Sequence, residues 1–223
     1  MRWPFVSSSS SAAPSSLFLK DTDMPITSEH RPETRAQRIA LVALFAALMA
    51  AFGLIPKIDL PLGVPITAQT MGVMLAGCML GAAMGFQALL LFLAAVALGL
   101  PLLSGGRGGM GVFFLPSAGY LLSYPLAAAV AGLVMRSLAG TGPSSPMRLA
   151  TCAFVASVLG GIVVVHVFGV LGLMLLAKLS FVQAAVGTLV FVPGDLVKCV
   201  LVALMVHTVA RGLPDWRFGG RRL

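Results

Sequence analysis

Two ionisable residues of opposite sign stand three positions apart in a stretch that is otherwise almost wholly apolar. They are Asp195 and Lys198, in Pro193-Gly194-Asp195-x-x-Lys198, within a segment running from roughly residue 182 to residue 210. Positions i and i+3 of a helix lie about 60° apart around its axis, so the two side chains share a face and can pair with each other or with one polar ligand. In the centre of a bilayer each charge costs about 2.5–3.5 kcal/mol by insertion scales, and it persists only where something compensates it. Pro193 lacks an N–H and Gly194 loosens the backbone, which frees polar groups just ahead of the pair to line a cavity. Two readings stand side by side: an internal ion pair that fixes packing, and the polar corner of a binding site. Intramembrane charges favour the second.

A further polar cluster is the glycine-rich run Leu103-Ser104-Gly105-Gly106-Arg107-Gly108-Gly109-Met110-Gly111. Its glycines let the backbone approach a ligand closely, and the Arg107 guanidinium suits a carboxylate; the plainer alternative is a flexible loop with a solvated Arg107. Gly106, Gly108 and Gly111 match G-x-G-x-x-G in form only, because no strand precedes them and no βαβ unit surrounds them. Gln69 offers an amide either to a ligand or to a helix end. Tyr120 reads either as an interfacial aromatic or as a pocket wall. The run from Ile58 to Thr67 carries Pro61, Gly63 and Pro65 among apolar side chains where a solvated loop would be polar, and it is expected to pack back onto the protein as a cap. His166 and His207 are single histidines on apolar stretches, and no spacing puts His166 beside Asp195 and Lys198, so both are read as structural. Cys78, Cys152 and Cys199 lie in apolar runs without C-x-x-C spacing or a neighbouring His, as small buried hydrophobes do.

The elements that must position these residues follow from composition. Of 223 residues, 58% are hydrophobic and only 10% charged, and the mean hydropathy is +0.99. A soluble domain carries about 25% charged residues, so the chain has too little polar surface for a water-facing globule and reads as a polytopic membrane protein. Six apolar segments, at roughly 37–55, 66–84, 86–100, 118–138, 149–177 and 182–210, predict an all-α membrane protein with six transmembrane helices, the last kinked or broken by Pro193. Arg2, Lys20, Arg31, Arg35 and Arg38 precede the first segment, Arg136 and Arg148 lie between the fourth and fifth, and Arg211, Arg217, Arg221 and Arg222 follow the sixth. They outnumber Lys57, Arg107 and Lys178 on the other side, so both termini are expected in the cytoplasm and the polar loops outside. The net charge of +8 is thereby explained without nucleic acid. Residues 1–35, Ser-rich and then of mixed charge, are expected to form a disordered cytoplasmic tail, 36–211 the six-helix domain and 212–223 a basic cytoplasmic tail. Gly77, Gly81 and Gly85 on the second segment and Ala43, Ala47 and Ala51 on the first make small-residue stripes for close helix packing, the latter also suited to docking another membrane protein. No G-x-x-x-x-G-K-[ST] occurs, so any ATP dependence must come from a partner.

The motifs Val64-Pro65-Ile66-Thr67-Ala68-Gln69-Thr70, Gly99-Leu100-Pro101 with the Arg107 loop, Pro116-Ser117-Ala118-Gly119-Tyr120 and Pro193-Gly194-Asp195-x-x-Lys198 occur in one order. Together they resemble the BioY family, the biotin-specific S-components of energy-coupling-factor (ECF) transporters. The family pattern more often has Pro-Thr-Gly-Gly-Tyr at residues 116–120. The resemblance implies a six-helix protein of the bacterial cytoplasmic (inner) membrane with a substrate pocket near the outer face, capped by the first external loop. It implies biotin as transported substrate and a transmembrane T-component and cytosolic ATPases as partners, with no cofactor and no covalent chemistry. A carboxylate such as Asp195 suits the ureido N–H groups of biotin, and cations such as Lys198 and Arg107 suit its carbonyl and its carboxylate tail. Gln69, Tyr120, Gly106 and Gly108 complete the candidate site. An autonomous proton-coupled carrier, with Asp195 as relay, is the competing class, although the two halves show no internal repeat of the kind such carriers have.

Overall fold

The structure, a computed structural model, describes residues 34–58, 64–140 and 144–220, and every regular element in them is helical. The expected N-terminal tail falls outside these residues up to residue 33. Helix α1 (Arg35–Gly53) begins slightly ahead of its expected start because Thr34 and Gln37 form a capping box. The Thr34 hydroxyl accepts from the Gln37 N–H at 3.2 Å, and the Gln37 side chain accepts from the Thr34 N–H at 2.9 Å, satisfying two otherwise orphaned donors.

Helices α2 (Gln69–Leu80) and α3 (Ala82–Ala97) are separated by Gly81 alone. Its φ of +82° belongs to the left-handed half of conformational space, and a side chain there would also strike the backbone of Gly219. Gly85 lies against the backbone of Ala76 and Gly77, so α2 and α3 fold as a tight hairpin. The second apolar segment thus ends at Leu80, short of the expected residue 84. At 12 residues α2 is about 18 Å long, less than the roughly 30 Å of a hydrocarbon core.

Helix α4 (Ala118–Ala139) is the central element, packed against α2, α3, α5 and α6. It can touch so many neighbours because its inner faces carry Ala127, Ala128, Ala131 and Gly132, all buried. Gly77 of α2 meets the α4 backbone at Ala128, so this member of the glycine stripe serves internal packing.

Pro146 at the first turn and the Ser145 cap start α5 (Pro146–Ser157), which continues through a π-helical segment (Val158–Val164) into α6 (Val165–Leu176). A second capping box, Ser180 with Gln183, opens α7 (Phe181–Leu189), and α8 (Val192–Gly212) follows. The sixth apolar segment is therefore broken in two, with Pro193 in the first turn of α8, where its missing N–H leaves no helical bond unmade.

Among the described residues, α1, α4, the α5–α6 run and α8 are long and apolar enough to cross a membrane; α2 and α3 are apolar but shorter. Outward-facing Leu90, Leu122, Leu133, Leu175 and Leu204 leave an apolar exterior. Residues 213–220, expected as part of a basic tail, pack onto the helices: Phe218 is fully buried and the Trp216 indole donates to the Met79 carbonyl at 3.1 Å.

Candidate functional site

Asp195 and Lys198 lie in the first two turns of α8 and do share a face: Lys198 Nζ donates to Asp195 Oδ1 at 2.7 Å. The same ammonium donates to Thr70 Oγ1 at 2.8 Å, and the Thr70 hydroxyl donates to Asp195 Oδ1 at 3.2 Å. Asp195 is only 3% exposed, which a carboxylate tolerates because Oδ1 has two donors, one of them charged. Among the described residues two of the three ammonium protons are engaged, which leaves the third for a carbonyl or carboxylate.

This charged corner forms one wall of a small, partly open cavity. Facing it is an aromatic wall of Tyr120 and Tyr124 from α4, His166 from α6 and Phe191 just ahead of α8. Tyr120 is held by a 2.7 Å hydrogen bond between its hydroxyl and that of Thr188, and its ring lies 5.9 Å from Phe191 and 6.2 Å from His166, centroid to centroid. Val64, Pro65, Ile66 and Thr67 close over the top. They are turned inward by reciprocal backbone bonds between Ile58 and Ile66, at 3.1 and 2.8 Å, and the rest of the expected cap, 59–63, lies outside the described residues.

The remaining candidates sit elsewhere. Gln69 is buried, and its amide donates to the Leu102 carbonyl at 3.1 Å and, at 3.5 Å, to that of Met49; it joins α1, α2 and the glycine-rich loop and is not on the cavity wall. Arg107 is half-buried in that loop, with Nε 3.4 Å from the Ser104 carbonyl, and it too is off the cavity wall. Gly106 has a φ of +69° with open space around it, whereas Gly108 rests against the Leu100 carbonyl, which a side chain would displace.

His166 and Thr70 were not singled out by spacing, yet the fold brings both to Asp195, with His166 Nε2 3.5 Å from Oδ2. The structural reading of His166 is corrected in this respect: α5 and the π-helical segment pack against α8, so His166, at the start of α6, comes to line the cavity beside Asp195. For Thr70 the only sequence signal was its place in the Val64–Thr70 motif. Among the described residues no group of three His, Cys, Asp or Glu could hold a metal ion.

Among the described residues, an apolar exterior and a hydrogen-bonded charge pair on the wall of a small aromatic-lined cavity have the character of a membrane protein. A family model described as the BioY family matches residues 24–215. The chain is 45% identical over 177 residues to the biotin transporter BioY of Rhizobium etli, covering 79% of this chain and 94% of that one. It is 43% identical over 188 residues to the biotin transporter BioY of Rhodobacter capsulatus, covering 80% of this chain and 96% of the relative. The fold is similar to a crystal structure of the S-component for biotin from an ECF-type ABC transporter, with a TM-score of 0.71, 28% identity and coverage of 81% of this chain and 95% of that chain. The chain belongs to the BioY family, a family of transporters rather than enzymes.

Proposed function

We infer that the chain is the biotin-binding membrane subunit of an ECF-type transporter, energised by a transmembrane T-component and cytosolic ATPases in a bacterial inner membrane. The observation that carries this reading is the Thr70–Asp195–Lys198 corner opposite Tyr120, Tyr124 and Phe191. The corner offers a carboxylate oxygen and an ammonium proton to a ureido group, and the aromatic wall offers apolar surface to the thiophane ring. Arg107, on the loop that Gln69 ties to the cavity end, is assigned to the carboxylate tail. Asp195 is engaged by Lys198 and Thr70, which favours a fixed binding group over the proton relay of an autonomous carrier.

The proposed topology has six membrane passages, the α2–α3 hairpin supplying two short ones, both termini inside and the cavity near the outer face. The charge distribution supports it: Arg35, Arg38, Arg136, Arg148 and Arg211 all lie at the helix ends opposite the cavity. Reporters fused after Leu223 or inserted at Thr141 should be cytoplasmic and one at Gly105 external; a cytoplasmic Gly105 reporter overturns the topology. Equilibrium binding of labelled biotin to the purified chain tests the function itself. Saturable binding displaced by unlabelled biotin is expected, and its absence overturns the assignment.

A further inference from the structure

His166 opens the second turn's worth of contacts that the charged corner leaves incomplete. Its Nδ1 lies 2.8 Å from the Ile162 carbonyl, at the end of the π-helical segment, where the same oxygen also accepts the Val165 N–H. A carbonyl only accepts, so Nδ1 carries the proton, and in the neutral imidazole Nε2 is left as an acceptor. Nε2 is buried with no hydrogen-bond partner among the described residues and faces Asp195 Oδ2 at 3.5 Å. Oδ2 is itself an acceptor, and unlike Oδ1 it receives no hydrogen bond among the described residues. Two unfilled acceptors thus converge on the cavity, held there by different helices.

We propose that His166 Nε2 and Asp195 Oδ2 together receive one ring N–H of the bound molecule, which makes His166 a specificity-determining residue. The proposal rests on the biotin reading above and adds the atom that reads the ureido group. In a cyclic urea each N–H adjoins the carbonyl, matching the neighbouring acceptor and donor that Asp195 Oδ2 and Lys198 Nζ present. A ligand with oxygen in place of that nitrogen sets a third acceptor against two. Among the described residues, the titratable or charged groups that line the cavity with the imidazole are Asp195 and Lys198 on α8 and Tyr120 and Tyr124 on α4. Among the described residues, α2, α7 and the covering segment contribute the hydroxyls of Thr70, Thr188 and Thr67.

The test is equilibrium binding to the purified full-length chain, using biotin and its two cyclic-carbamate isosteres, in each of which one ureido N–H is replaced by oxygen. Wild type should bind biotin and reject one isostere by about a hundredfold. In His166→Phe that discrimination should shrink to about tenfold, with biotin itself bound about tenfold more weakly, whereas His166→Gln, whose Oε1 can accept, should keep most of it. Undiminished discrimination in His166→Phe overturns the role of the histidine while leaving biotin binding intact. If His166→Phe fails to fold, the discrimination shown by His166→Leu, which also lacks an acceptor, decides in the same way. A wild type that does not bind biotin fails at the earlier reading, and this proposal falls with it.

Discussion

The charged corner of the cavity and the Arg107 loop both present a cation near the same end of the molecule, but they are built in opposite ways. Asp195, Lys198 and Thr70 stand on α8 and α2, and their hydrogen bonds of 2.7–3.2 Å join two helices. Arg107 stands on a loop closed by reciprocal backbone bonds with Leu103, at 3.0 and 3.2 Å, and Gly105, Gly106 and Gly109 hold positive φ angles. Its guanidinium reaches the Ser104 carbonyl only at 3.4 Å, near the limit of a hydrogen bond. Helices fix direction and exclude water, so each hydrogen bond in the corner is strong and selective. A glycine loop allows its charge to adjust, which suits a flexible ligand tail and gives a weaker contact nearer water.

The largest effect expected from this contrast is that of Asp195→Asn, which should weaken biotin binding by tenfold or more, since a hydrogen bond to a charged group contributes about 1.5–3 kcal/mol. If both Asp195→Asn and Lys198→Met fold and bind biotin like wild type, the pair is structural and the corner is not the site. Arg107→Ala should cost less, about severalfold. A biotin amide lacking the carboxylate should bind wild type more weakly than biotin does but lose little further against Arg107→Ala, as a double-mutant cycle requires of a direct contact. Equal losses for both ligands would remove the tail from Arg107. The smallest effect on binding should come from Ala43→Leu with Ala47→Leu, because both alanines face outward on α1, away from the core. Biotin binding should be unchanged while assembly with the T-component, measured by co-purification, declines; loss of binding in the isolated chain would show that this face supports the fold.

What could be read from sequence alone divides along the same line. The Asp195–Lys198 pair was legible because its geometry is local, fixed by helical periodicity and announced by charge in an apolar run. The break ahead of α8 was legible from Pro193, which has no N–H to continue a preceding helix. His166 was not, since nothing in its own segment marks it and its place on the cavity arises from the packing of α5 and the π-helical segment against α8. Gln69 illustrates the converse, a polar residue near the cavity whose donors are engaged by the Leu102 and Met49 carbonyls. The early end of α2 was also hidden: Gly77, Gly81 and Gly85 look alike in sequence, and only the fold makes Gly81 the one that turns the chain.

The segment 213–220 carries a consequence for how the protein is made. Trp216 and Phe218 fill the space beside α2 and α4, and Gly219 lies against Gly81 and the backbone of Arg136. Translation delivers this segment after every helix it touches. The α2–α3 turn therefore stays unclasped until residues 213–220 have left the ribosome, so this contact is among the last the fold completes.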